Sequence, residues 1–310
     1  MSRRASPDAE MRQMTGTATE ADRWRGRLLI LAAAVLWSTG GAFIKSPILG
    51  GIEPVAVRGP LLACGRTAFA ALLLLAFRPW RLIRWRVGLL PLLFSFAAMN
   101  VLLVCSMTRA AAGDVIFLQY SAPLWVCVVA ATWLREPLVK SNLIALVIGM
   151  SGVAVIVVAS VSTPDWVGVW LALGSGVGYA GVILSLRALR DEDSIGLIFL
   201  CMCLSSLVLV PWVAGSVHHL NGERFLWLAI FSVVQIGVPY ILFARGLRWV
   251  TAQEGSLITL LEPVLTPLWV LLLWRVTVAP HTIMGGGLIL AALLVTLRPE
   301  RPNGQRGTTE

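Results

Sequence analysis

Residues 259–274 read TLLEPVLTPLWVLLLW. A carboxylate, Glu262, and two prolines, Pro263 and Pro267, stand in an otherwise hydrocarbon run. An ionised group at the centre of a membrane helix costs roughly 2.5–3.5 kcal/mol on insertion scales. Each proline removes a backbone donor and crowds the carbonyl four residues earlier. Such a segment is tenable only if the acid is neutral, paired or facing water and the freed backbone groups find partners.

The surrounding chain supplies the context. Of its 310 residues, 57% are hydrophobic and 13% are charged, the charged share being about half that of a soluble domain. Ten hydrophobic spans follow one another at 27–45, 59–77, 87–107, 113–134, 141–161, 166–186, 195–214, 225–244, 254–274 and 281–297. Most approach the roughly twenty residues a bilayer requires. The fold expected is an all-α polytopic membrane protein with ten transmembrane helices. Residues 1–26 read as a disordered cytoplasmic tail and 298–310 as a second cytoplasmic tail.

Charge placement orients the chain. With the N-terminus in the cytoplasm, 19 of the 25 Lys and Arg fall in the tails and cytoplasmic links, five fall outside, and Arg66 lies within a span. That bias places both termini in the cytoplasm of a multi-pass protein of the cell inner membrane. The arginines come in short bursts between apolar runs rather than on one amphipathic face, so the net charge of +9 does not indicate a nucleic-acid partner. The partners expected are the lipid bilayer and a small-molecule substrate. The five cysteines lie inside apolar segments and read as small buried hydrophobes. No cofactor or metal is expected.

The chain also repeats itself. At an offset of 140 residues, GDVIFLQYSAPLW (113–125) lies over QEGSLITLLEPVL (253–265), matching Asp114 to Glu254 and Pro123 to Pro263. The first and sixth spans echo each other at an offset of 142, with Trp37 over Tyr179. Five spans per repeat is an odd number, so a second copy at 166–297 enters the membrane inverted relative to the first at 27–161. Inverted repeats of this kind let secondary transporters build two access states around a midplane site.

With these features the chain resembles the drug/metabolite transporter superfamily, specifically its EamA-type members. The resemblance is carried by VLWSTGGAFIK (35–45), AAAGDVIFLQYSAPLWVCVVAATWLREPL (110–138) and ARGLRWVTAQEGSLITLLEPVLTPLWVLLLW (244–274). It implies a ten-helix carrier, generally an exporter of small metabolites, with a cavity lined mainly by the first, third, fourth, sixth, eighth and ninth helices. Leu261-Glu262-Pro263 matches the family's LEP-like triad. Arg135-Glu136-Pro137 matches its turn after the fourth helix, whereas Arg275-Val276-Thr277 departs from the pattern in the second copy.

Polar groups at mid-span are the candidates for the cavity. Glu262 lies two residues, about 3 Å, from the midpoint of its span. It can bind a substrate amine or carry a coupling proton, or it can be a structural acid that satisfies backbone groups freed by the prolines. Asn100, Gln119 and Gln235 need partners or a wet cavity, because hydrocarbon offers neither donor nor acceptor. Tyr120, Tyr179 and Tyr240 suit a pocket for a partly apolar solute. Trp37, Ser38 and Thr259 complete the expected lining. Pro123, Pro263 and Pro267 are the expected hinges. Trp125 and Trp269 read as lipid-facing or packed. Asp114 and Glu254 complement the helix dipole in the first turns of their helices, and Arg66 reads as a side chain that snorkels or pairs near the outer end of its span.

The function expected is a secondary transporter, an exporter of small organic metabolites such as amino acids or amphipathic solutes. A non-transporting membrane sensor or assembly factor is the alternative, although the sequence shows no soluble signalling domain. An intramembrane enzyme is a weaker one, since the sequence holds no Gly-x-Ser-x-Gly, no zinc-type His-Glu spacing and no phosphate-binding glycine loop.

Overall fold

The first helix starts seven residues earlier than hydropathy alone places it. Thr19 Oγ1 accepts from the Asp22 N–H at 3.1 Å while Asp22 Oδ2 accepts from the Thr19 N–H at 3.2 Å, a reciprocal cap that satisfies two orphan donors. Helix α1 (Glu20–Ser38) therefore carries Arg23, Arg25 and Arg27 on its first two turns. Residues 20–26, assigned above to a disordered tail, are helical. In this computed structural model the described residues are 19–44, 46–77, 83–107, 118–134, 139–160, 166–275 and 280–297.

They form helices and connecting turns: α2 (Gly40–Ile44), α3 (Pro47–Gly50), α4 (Val55–Leu75), α5 (Leu89–Met107), α6 (Ala122–Thr132), α7 (Lys140–Ser160), α8 (Trp166–Ala188), α9 (Ser194–Val213), α10 (Gly222–Ser232), α11 (Val238–Gly246), α12 (Ala252–Ile258), α13 (Leu261–Trp274) and α14 (Pro280–Leu297). Helix thus occupies every hydrophobic stretch read from the sequence. Seven of these stretches are long and apolar enough to cross a membrane. Three described helices, Ala122–Thr132, Lys140–Val155 and Ile283–Leu297, are apolar but shorter. Asp114, Lys45, Glu136 and residues 298–310 lie outside the described residues.

The exterior is hydrocarbon. Phe94, Trp170 and Leu272 are 75%, 69% and 70% exposed, a surface that only a lipid solvent accommodates at this scale. Inside, α7 lies along α14, α8 along α5, α9 along α4, α11 along α1, and α6 against α12. Small residues let these pairs approach. A Cβ on Gly178 of α8 would stand 3.0 Å from both the N and Cα of Met99 on α5, so that contact is built for glycine. The largest core cluster, with Ile30, Phe96, Ile183, Ile198 and Phe243 buried, gathers α1, α5, α8, α9 and α11.

One end of the bundle is tied by charge. Arg27 Nε meets Glu254 Oε1 at 2.5 Å with both side chains buried, Arg23 Nη2 lies 3.7 Å from Glu254 Oε2, and Arg27 Nη1 donates to the Leu297 carbonyl at 3.2 Å. Glu254 is more than the dipole complement expected of it: it joins α1, α12 and the last turn of α14. Nearby links at the same end hold a second cluster, in which Glu192 accepts from Arg86 Nη1 at 2.9 Å and Arg248 Nη2 donates to the Glu192 carbonyl at 2.6 Å.

Candidate functional site

Four helical interruptions converge at one level of the bundle, and three follow from a single piece of chemistry. A proline cannot donate to the carbonyl four residues before it. Pro123, Pro239 and Pro263 therefore deny the carbonyls of Gln119, Gln235 and Thr259 their donor four residues on, and the Thr259 carbonyl takes the Glu262 N–H instead, at 3.0 Å. The backbone turns at Tyr120–Ser121 before α6, widens to a π-helix at Val233–Gly237 before α11, and turns at Thr259–Leu260 between α12 and α13. Each interruption lies at or beside a polar side chain expected in the cavity. The fourth, at Thr39 between α1 and α2, has a different cause. Ser38 Oγ and Thr39 Oγ1 donate to the Val35 and Leu36 carbonyls, each at 2.6 Å, a back-bonding pattern that bends helices.

Glu262 stands in the first turn of α13, half-buried, beyond the break. Its carboxylate accepts a hydrogen bond from the buried Tyr120 hydroxyl. One turn back, the Tyr179 and Thr259 hydroxyls are hydrogen-bonded to each other, and Thr259 Oγ1 donates to the Ser256 carbonyl at 2.8 Å. Trp37 fills the centre of an aromatic wall: its ring lies edge-on to Tyr240 at 4.9 Å and to Tyr179 at 6.4 Å, and tilted to Phe243 at 5.2 Å. Phe96 closes the wall against Tyr240 at 5.1 Å.

Amides and hydroxyls tie this wall to its neighbours. Gln119 Nε2 donates to Ser175 Oγ at 2.9 Å, and Ser175 Oγ to the Met99 carbonyl at 3.0 Å. Gln235 Nε2 reaches the Trp37 carbonyl at 3.5 Å, and its Oε1 accepts from Arg66 Nη1 at 3.0 Å. Trp269 Nε1 donates to Ser38 Oγ at 2.8 Å, which makes Trp269 a packed residue of the site's rim. Trp125 is 42% exposed and only its indole N–H turns inward, to Ser121.

The structure brings together Trp37, Ser38, Gln119, Tyr120, Tyr179, Gln235, Tyr240, Thr259 and Glu262. Asn100 is buried on α5 beside this group, but its amide donates to the Phe96 carbonyl of its own helix at 3.0 Å. Of the expected hinges, Pro123 and Pro263 lie just beyond breaks, while Pro267 lies inside the continuous helix α13.

Arg66 was placed differently from sequence. Helix α4 begins at Val55, not 59, so Arg66 is its twelfth residue of 21 and stands mid-helix. There its guanidinium meets Gln235 and lies close enough to Glu262 and Tyr240 for charge interaction. Its proximity to an amide on the eighth span, 169 residues away, leaves no mark in a single sequence. Phe96, Met99 and Ser175 carry no charge; Phe96 and Ser175 stand four residues before Asn100 and Tyr179 on the same helices, the one signal that could have pointed to them, and Met99 had none.

The profile of the EamA-like transporter family matches the chain twice, at residues 24–158 and 166–298. Among curated proteins, the threonine/homoserine exporter RhtA of Escherichia coli (strain K12) is 27% identical over 307 residues, covering 93% of this chain and 97% of its own. An uncharacterized transporter of Archaeoglobus fulgidus is 27% identical over 213 residues, covering 66% of this chain and 76% of its own. A protein crystal structure superposes with a TM-score of 0.75 at 16% identity, over 89% of this chain and 98% of its own, a likeness of fold. A multi-pass helical membrane protein with two matches to one transporter profile, the chain belongs to the EamA-like transporter family.

Proposed function

We propose that the protein is a secondary transporter of the cell inner membrane that exports small organic metabolites, amino acids or amphipathic solutes among them. Two inverted five-helix repeats alternate access to a midplane cavity around Glu262, with both termini in the cytoplasm. The observation that carries this reading is the convergence of four helix interruptions on one polar and aromatic cluster drawn from the first, second, fourth, sixth, eighth and ninth spans. Irregular backbone at membrane depth is tolerated where it lines a cavity, and discontinuous helices at a repeat interface are how such carriers form their sites.

The helix pairing supports the two-fold arrangement. The fifth span pairs with the tenth, the second with the seventh, the fourth with the ninth, the third with the sixth and the eighth with the first. Exchanging each of the first five spans with its counterpart five later returns the same set of pairs. The substrate printed for the relative from Escherichia coli, threonine or homoserine, fits a cavity with a carboxylate, two amides and an aromatic wall. Glu262 is the proton-coupling group in this reading. The titratable or charged groups around it are Tyr120, Tyr179, Tyr240 and Arg66.

The test is counterflow into proteoliposomes loaded with amino acids, threonine and homoserine included, comparing the native protein with Glu262→Gln across a pH series. The native protein exchanges a solute with a pH-dependent rate, and the variant exchanges it with that dependence lost. No exchange of any solute by the native protein contradicts the carrier reading. Unchanged pH dependence in the variant makes Glu262 structural.

A further inference from the structure

Arg66 is the group that the carrier's architecture does not explain. A guanidinium at mid-helix is among the most expensive side chains to place in a membrane protein, and those that persist are paired or face a functional cavity. Arg66 Nη1 donates to Gln235 Oε1 at 3.0 Å, but Nε is buried with no hydrogen-bond partner. Among the described residues no carboxylate forms an ion pair with it. Glu262 feels its charge, yet that carboxylate is engaged by the Tyr120 hydroxyl. The positive charge has a neutral amide for a partner and no anion.

The surroundings are built to keep it so. Gln235 stands in the π-helical segment Val233–Gly237, a geometry that recurs at functional sites because it turns one side chain out of the regular ladder. Gly40 on α2 lies against that amide: a Cβ there would come 3.0 Å from Gln235 Nε2. Ser232 Oγ, at the end of α10, donates to the Arg66 carbonyl and holds the same stretch of α4. With Nη1 committed to Gln235, the edge of the guanidinium that carries Nε stays unpaired. That edge, Nε with Nη2, is a planar two-donor fork whose spacing matches the two oxygens of a carboxylate.

We propose that Arg66, oriented by Gln235, is a carboxylate-binding subsite of the cavity, so that the transported solute carries a carboxylate and delivers the missing counter-charge. This rests on the reading of the cluster as a solute cavity and deepens it. The carboxylate seats on the fork of Arg66, and the remainder of the solute lies toward the paired rings of Trp37 and Tyr240. Glu262, held by the Tyr120 hydroxyl, is left to meet a proton or a cationic group of the solute.

The experiment uses the full-length protein in lipid nanodiscs and reads thermal stabilisation by L-threonine, L-phenylalanine, L-glutamate, succinate and lactate. The amides of the first two, L-threoninamide and L-phenylalaninamide, serve as matched compounds lacking the carboxylate. At least one acid stabilises the native protein, the amide of an amino acid that binds does so at least tenfold more weakly, and Arg66→Gln removes the difference. Arg66→Lys, which keeps the charge without the fork, retains only part of it. The subsite is overturned by equal binding of acid and amide to the native protein, by binding of no carboxylate in the series, or by an Arg66→Gln variant with the full preference for the acid. The acid-to-amide comparison on native protein stands even where a variant fails to fold. Counterflow then separates the two readings. Exchange of an amide as fast as its acid keeps the carrier and removes the subsite, whereas Arg66-dependent binding without exchange keeps the subsite and removes the carrier.

Discussion

Two carboxylates only eight residues apart in sequence do different work. Glu262 has one hydrogen bond from Tyr120 and stands half-buried beside aromatic rings. Glu254 is buried and held by Arg27 at 2.5 Å and Arg23 at 3.7 Å. Removing one partner of a buried pair leaves the other charge uncompensated, at a cost of about 3–5 kcal/mol. Glu254→Gln is therefore expected to lower the melting temperature of the purified protein sharply, while Glu262→Gln leaves it close to native and changes transport instead. A melting curve for each variant checks this. Equal losses from the two substitutions would remove the distinction. The depth of Glu262 was readable from the hydropathy of residues 254–274, and so were Trp37, Tyr179 and Tyr240 as polar-edged rings at mid-span. Arg27 and Glu254 were not readable as a pair, because 227 residues separate them and one sequence carries no record of long-range contact. Arg66 was misplaced for a local reason: its helix begins at Val55, a turn ahead of the span counted from residue 59, because Arg58 breaks the hydropathy there without breaking the helix.

At the scale of elements, the informative pattern is a polar residue followed four positions later by a proline: Gln119 and Pro123, Gln235 and Pro239, Thr259 and Pro263. The proline interrupts the regular ladder at the residue whose side chain joins the polar cluster, so the break and the polar group fall at the same height. This spacing was legible in the sequence, and two of its three prolines were read as hinges. Pro267 shows the limit of that argument, since α13 runs on through it. The start of α1 was missed because capping chemistry at Thr19 and Asp22, rather than hydropathy, sets it. Replacing Pro263 with Ala restores a donor to the Thr259 carbonyl and favours one continuous helix. Exchange measured by counterflow is expected to fall about tenfold or more with the protein still folded, as for residues that absorb a conformational change. An unchanged rate in Pro263→Ala would show that the break between α12 and α13 is not used in transport.

For the whole molecule, the helix order and the Lys and Arg bias gave the ten stretches and a proposed orientation, and the pairing of spans adds a two-fold pattern that no segment shows alone. The two charge clusters at Glu254 and Glu192 tie the same end of the bundle, the end proposed to face the cytoplasm. In the structure α1, α12 and the last turn of α14 are linked at this end. A carrier that alternates must open it, and the cavity must then be reached from each side in turn. The most direct test places one cysteine at Gln119, on the half-buried rim of the site, in a protein whose five native cysteines are replaced by serine or alanine. A membrane-impermeant thiol reagent is then applied to either face of sealed vesicles. Labelling from both faces, slowed from both by a transported solute, is the result predicted. Labelling from one face only, with no protection by any solute, would contradict alternating access around this site.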